Sequence, residues 1–310
     1  MTSLHALGPA RTPARPGPGE IPGGLLRKLD LTVRRRVDGL LAGDHRAWFL
    51  GDGTELAQVR PYELGDDVRR MDWNVTARTG EPHVRVHVAE RAADCWLLLD
   101  TSPSMTFGTA DRRKWDVAEG AAVAVGHVAT RRGNRLGVST FGDTAPQTSP
   151  VKQGSRALLP LLHAIRREPD LEPSGPTSLG AALRRLDRIA RRGSIVVVVS
   201  DFRGPRDWRR PLLRLSARHQ PIAVEISDPR ELELVDVGDV WLVDPESDRA
   251  VRVDTRSRKL RAQFGQEAAE ERAEVARELR SAGVPHVVLS TAGEWLKPLV
   301  EALVQERRRR

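Results

Sequence analysis

The stretch Cys95-Trp96-Leu97-Leu98-Leu99-Asp100-Thr101-Ser102-Pro103-Ser104 decides how this chain folds. An apolar run without alternation predicts a strand buried on both faces, as in a parallel sheet covered by helices. The run then stops at a carboxylate followed by two hydroxyls. In an open α/β sheet, ligands collect beyond the carboxyl ends of the strands, where successive crossovers pass to opposite faces. The polar segment from Asp100 to Ser104 stands at such an end.

Downstream, strand-like runs recur at 136–141, 195–200, 222–226 and 286–289. Helical spacing of apolar residues marks 113–131, 155–167, 179–191, 208–217 and 257–282, with a last helix from Glu294 to the C-terminus. This alternation predicts a doubly wound α/β domain with a mostly parallel sheet over 93–310. It breaks at about 231–255, where two apolar runs flank Pro245-Glu246-Ser247-Asp248 and predict a hairpin. Upstream, residues 25–92 predict a smaller, loop-rich segment packed on the main domain. It carries a helix over 25–41 and a half-buried strand through Val84, Val86 and Val88. Residues 1–24, with five prolines and five glycines, predict a disordered tail.

Composition narrows the function classes. The 310 residues are 39% hydrophobic, enough for a sizeable core, and the 50 basic residues are interleaved with 42 acidic ones. That pattern describes a solvated surface, not a compact nucleic-acid footprint. The terminal run Arg307 to Arg310 reads as a helix end, where cations are favoured. A basic nucleic-acid-binding protein is therefore a minor alternative. Cys95, the single cysteine, excludes an intrachain disulfide and reads as core filler, consistent with a reducing compartment. No signal-peptide core and no bilayer-length apolar stretch are present, so a cytoplasmic protein without a membrane span is expected.

Asp100, Ser102 and Ser104 are hard oxygen donors suited to a small divalent cation. Two more come from later loops. Thr177 lies in the turn-rich Ser174-Gly175-Pro176-Thr177-Ser178 that opens a helix, and Asp201 ends the apolar run 195–199. Such residues also serve as ordinary turn and cap residues. The convergence of three loops at one sheet edge favours metal over that plainer role.

From Cys95 onward the sequence resembles a von Willebrand factor A domain, through Asp100-x-Ser102-x-Ser104, the loop threonine Thr177 and the strand-end Asp201. The resemblance implies a metal-ion-dependent adhesion site (MIDAS) for Mg²⁺ or Mn²⁺. Ser102, Ser104 and Thr177 would be direct ligands, with Asp100 and Asp201 in outer or water-mediated roles. It also implies that a carboxylate from a bound partner completes the shell.

The stretch Arg60-Pro61-Tyr62-Glu63-Leu64-Gly65-Asp66-Asp67-Val68-Arg69-Arg70-Met71-Asp72-Trp73-Asn74-Val75-Thr76-Ala77-Arg78 resembles the signature of the bacterial family called domain of unknown function 58. That family is often encoded beside MoxR-type AAA+ ATPases, which implies an adaptor linking such an ATPase to a client protein. The chain lacks a Gly-x-x-x-x-Gly-Lys-Ser/Thr loop, so any ATP hydrolysis would be the partner's. Many relatives carry two transmembrane helices before the signature, and none is seen here. Asp66, Asp67 and Asp72 lie among Arg60, Arg69, Arg70 and Arg78, which favours ion pairs over an acidic catalytic cluster. With Gly65, and with Tyr62 and Trp73 as buried anchors, these residues are expected to lock the segment to the main domain.

Enzyme readings are weaker. His83 and His87 share a strand face but lack a third zinc ligand, and Ser139 and Ser200 lack a nucleophile elbow. Asp100 resembles the nucleophile of aspartate-dependent phosphatases. Ser102, however, stands where their general acid would be. A metal-dependent phosphatase or hydrolase at this strand end is the enzyme alternative to a non-enzymatic adaptor.

Overall fold

The computed structural model describes residues 5–7, 55–63, 66–88, 94–108, 110–130, 134–142, 146–153, 157, 178–243 and 250–299. The chain divides into two compact units, one of residues 1–34 with 93–310 and one of residues 35–92. The strands are β1 (His5–Leu7), β2 (Glu55–Pro61), β3 (His83–Val88), β4 (Asp94–Asp100), β5 (Arg135–Phe141), β6 (Thr148–Gln153), β7 (Ile195–Ser200), β8 (Gln220–Ser227), β9 (Asp239–Val243), β10 (Ala250–Asp254) and β11 (His286–Ser290). The helices are α1 (Trp73–Thr79), α2 (Lys114–Thr130), α3 (Leu179–Ile189), α4 (Arg209–Ser216) and α5 (Arg258–Ser281).

The larger unit is built on a six-stranded sheet in the order β11-β8-β7-β4-β5-β6. Numbered within the sheet, this is the 3-2-1-4-5-6 order of doubly wound folds. All neighbours run parallel except β6, which lies antiparallel on β5 at the edge. The fold is the expected doubly wound α/β architecture with a mostly parallel sheet.

Every residue of β4 and β7 is buried, which explains why their sequences show no alternation. Trp96, Leu98, Val196 and Val198 point to one face and pack with Leu183 and Leu186 of α3, Leu212 and Leu215 of α4, and Val275 and Leu279 of α5. The intervening residues Leu97, Leu99, Val197 and Val199 take the other face by the period of two. There α2 crosses β4, β5, β7, β8 and β11, and its buried Ala118, Ala121, Ala122 and Ala124 permit a close approach. Each fully buried Leu or Val contributes about 1.5–3 kcal/mol.

The hairpin β9–β10 forms in the expected place. Three strands were not foreseen. Glu55–Pro61 pairs antiparallel with β3, inside a stretch expected to be loop. Thr148–Gln153 is a polar edge strand containing Pro150, a residue tolerated only at such edges. His5–Leu7, within the expected disordered tail, pairs with β9, whose edge would otherwise leave backbone groups unpaired. The expected helices at 25–41 and 155–167 lie outside the described residues, Ala157 excepted.

Trp96 lies opposite Gly137 in the β4–β5 register, and a β-carbon at Gly137 would come within 2.6 Å of the indole ring. Gly137→Ala is expected to destabilise the fold by about 1–3 kcal/mol through overpacking, measured by urea unfolding.

Candidate metal centre

At the end of β4 the Asp100 side chain turns back on its own loop. Its Oδ1 accepts from the Ser102 backbone N–H at 3.0 Å, and its Oδ2 accepts from the Ser200 hydroxyl of β7 at 2.5 Å. Ser102 occupies the cap position of a short 3-10 turn, Pro103–Thr106, yet its side chain caps nothing. Its hydroxyl lies instead 3.0 Å from the Ser104 hydroxyl, with both residues buried. Adjacent oxygens of an octahedral Mg²⁺ shell, at about 2.1 Å from the ion, are also about 3.0 Å apart. The serine pair therefore fits two neighbouring positions of such a shell.

Gly142, just past β5, supplies the floor. It has φ of 97°, and a β-carbon there would lie 2.7 Å from the Ser102 nitrogen and 3.0 Å from Asp100 Oδ1. Only glycine suits both the left-handed backbone and that approach.

Asp201 follows β7 and is aimed by a strained turn. Phe202 has φ of 55°, a conformation costing a bulky residue about 1–3 kcal/mol. Two interactions hold it: its N–H donates to Ser200 Oγ at 3.0 Å, and its buried ring meets Trp208 edge-on at 5.6 Å. Asp201 Oδ1 accepts from the Arg203 N–H at 3.1 Å, and Oδ2 accepts from Lys114 Nζ at 2.6 Å. Lys114 opens α2, is wholly buried, and donates also to Glu231 Oε1 at 2.7 Å.

The two aspartates titrate in opposite directions. Burial, then the Asp201 charge, pushes Asp100 up to about 7 against hydrogen bonds from Ser102 and Ser200. Burial would also raise Asp201, but the Lys114 ammonium and bonds from Arg203 and Ser104 hold it below the ordinary carboxylate value. Lys114 is raised, because Asp201 and Glu231 outweigh its burial.

Four of the five expected donors, Asp100, Ser102, Ser104 and Asp201, thus lie at one sheet edge, while Thr177 falls outside the described residues. Its neighbour Ser178 caps α3 and donates to Asp207 at 2.5 Å. Among the described residues no group of three or more His, Cys, Asp or Glu could hold a metal, so a cation site here depends on hydroxyl donors. His83 Nδ1 lies 2.7 Å from the Glu81 carbonyl, a local contact within its own turn. Sequence reasoning missed Lys114, Glu231, Ser200 and Gly142. The available signal was a lysine opening a helix, where the dipole disfavours a cation.

The signature residues of the smaller unit make local bonds. Arg60 grips Asp66 with two bonds of 2.8 and 2.7 Å. Asp67 accepts from the Arg69 N–H, and Asp72 caps α1 through Asn74 and Val75. Arg69 and Arg78 are exposed, and Gly65 lies outside the described residues. Tyr62 is half-buried, but Trp73 is 66% exposed and does not anchor by burial as expected. It is the first residue of α1, and the Asp72 cap sets the helix with that indole outward.

Lys114→Ala leaves two buried carboxylates without their cation and is expected to cost about 3–5 kcal/mol in urea unfolding. A second expectation concerns pH. Because folded Asp100 keeps its proton up to about pH 7, whereas the unfolded side chain loses it near the ordinary carboxylate value of 3.8, its contribution to stability falls as pH rises through that window. Asp100→Asn, studied in chelator, should gain stability relative to wild type between pH 4 and 7 and show no further relative change above it.

The chain resembles known proteins in sequence and in structure. The chain is 42% identical over 283 residues to the uncharacterized protein Rv1480 of Mycobacterium tuberculosis, covering 91% of this chain and 89% of that one. The uncharacterized protein Mb1516 of Mycobacterium bovis matches equally. Among solved structures, the conserved hypothetical protein BatB from Bacteroides thetaiotaomicron is similar at TM-score 0.44 and 13% identity, over 70% of this chain and all of that one. A von Willebrand factor type A protein from Catenulispora acidiphila is similar at TM-score 0.37 and 13% identity, over 71% of this chain and 42% of that one. No described helix is long and apolar enough to cross a membrane. The family described as "Protein of unknown function DUF58" matches residues 58–274, and the chain belongs to that family.

Proposed function

We propose that this protein is a divalent-metal-dependent, protein-binding adaptor. Ser102, Ser104 and Thr177 would hold Mg²⁺ or Mn²⁺, with Asp100 and Asp201 bonded to its waters and neighbouring hydroxyls. The bound cation supplies a hard Lewis-acid position that an acidic residue of a partner can occupy. The observation that carries this reading is the buried serine pair, 3.0 Å apart and free of capping duty, between two strand-end carboxylates.

Catalysis is the weaker reading of the same edge. A phosphatase needs a protonated acid near its nucleophile, and Asp201 is held ionised by Lys114. The partner class is a MoxR-type AAA+ ATPase, its client, or both, an assignment that rests on the family resemblance and on the missing phosphate-binding loop. Protein assembly or maturation in the cytoplasm, where ATP is available to that ATPase, is the corresponding role.

Asp100→Ala and Ser102→Ala should abolish Mg²⁺-dependent pull-down of a co-encoded MoxR-type ATPase while leaving the far-UV circular dichroism spectrum unchanged. Capture that persists in excess chelator would sink the reading.

A further inference from the structure

A simple cation site does not call for Lys114. Its ammonium is 0% exposed and sits between Asp201 Oδ2 at 2.6 Å and Glu231 Oε1 at 2.7 Å. Glu231 is itself fixed, because its Oε2 accepts from the Asp228 N–H at 3.1 Å in a capping box. The ammonium is thus held by groups on two loops and has no room to swing away.

We infer that Lys114 is a built-in counter-cation that keeps the site's intrinsic affinity for a divalent ion low, so that firm metal retention requires the partner's carboxylate. The inference rests on the metal-dependent reading above. Its physical basis is charge balance. Asp201 shares the ammonium with Glu231, so part of the negative charge beside the serine hydroxyls is already offset, while Asp100 is met by N–H and hydroxyl donors. A buried unit positive charge bonded to a carboxylate of the site would oppose binding of a divalent ion by about tenfold or more. An incoming carboxylate restores the missing charge, so metal and partner bind with positive coupling. Lys114 acts through Asp201 and is a positioning residue, with Glu231 as its holder.

The test is binding of Mn²⁺ alone, followed by electron paramagnetic resonance at pH 8 on the full chain. Lys114→Met/Glu231→Gln removes the ammonium and its holder together and avoids leaving Glu231 as a buried charge. This double variant is expected to bind Mn²⁺ at least about tenfold more tightly than wild type. Glu231→Gln alone leaves the ammonium wholly to Asp201 and should weaken binding. Opposite shifts in the two variants distinguish electrostatic tuning from damage to the fold, which would weaken both. Equal or weaker binding by the double variant, beside measurable wild-type binding, overturns the inference and leaves the adaptor reading standing. Absence of Mn²⁺ binding in wild type and double variant alike overturns both.

Discussion

Two buried carboxylates that end neighbouring parallel strands set the terms for everything around them. Asp100 and Asp201 follow strands buried on both faces and are themselves buried. Ionised together, they would repel strongly at low dielectric. The protein treats them unequally. Asp201 receives an ammonium, while Asp100 receives hydrogen bonds and is driven towards its protonated form. Ser200 joins the two solutions, donating to Asp100 and accepting from the N–H of the strained Phe202. The same logic spreads along the edge, since Glu231 anchors the ammonium and Asp228 accepts from the Thr291 hydroxyl at 2.6 Å. The ends of β7, β8 and β11 are thereby tied by buried polar bonds.

Charges farther from the edge play a different part. Arg203, Arg206 and Arg209 follow the strained turn, and they meet Glu271, Glu274 and Glu278 at successive turns of α5. Separations are 3.2 Å for Arg203–Glu271, 3.6 Å for Arg206–Glu274 and 3.1 Å for Arg209–Glu278. Isolated exposed pairs of this kind contribute little. As a ladder between two elements they fix the rotation of α5 against the loop carrying Asp201. The interleaved basic and acidic residues, which the composition presents as a solvated surface, include this cross-element network.

How much was legible in the sequence followed from how local each cause was. The runs that became β4 and β7 could be read because burial on both faces leaves an unbroken apolar pattern. Asp100, Ser102, Ser104 and Asp201 could be read because a strand end is a local position. The edge strands β1, β2 and β6 could not, since their pairing is decided by partners elsewhere and leaves no period in the sequence. Lys114 and Glu231 were hidden for a related reason. They are 117 residues apart, and each resembles any other surface charge in a chain with 50 basic and 42 acidic residues. Trp73 misled in the opposite direction, because an aromatic in a signature suggests burial and this one begins an exposed helical turn.

The plainest rival to a metal role is that the serines and aspartates of the strand-end loops are turn and cap residues. The rest of the chain shows what that role looks like. Asp67, Asp72, Ser178 and Ser257 each stand at a helix start and accept from backbone N–H groups of the first turn. Ser102 stands at an equivalent position and does not. Its hydroxyl is buried against that of Ser104 and beside Asp100, an arrangement that does nothing for the 3-10 turn it precedes. The two buried hydroxyls bond to each other and to the strand-end carboxylates, Ser102 to Asp100 and Ser104 to Asp201. Capping is therefore the explanation that the geometry of Ser102 removes, and the serine hydroxyls belong instead to the polar cluster that links the two strand-end carboxylates.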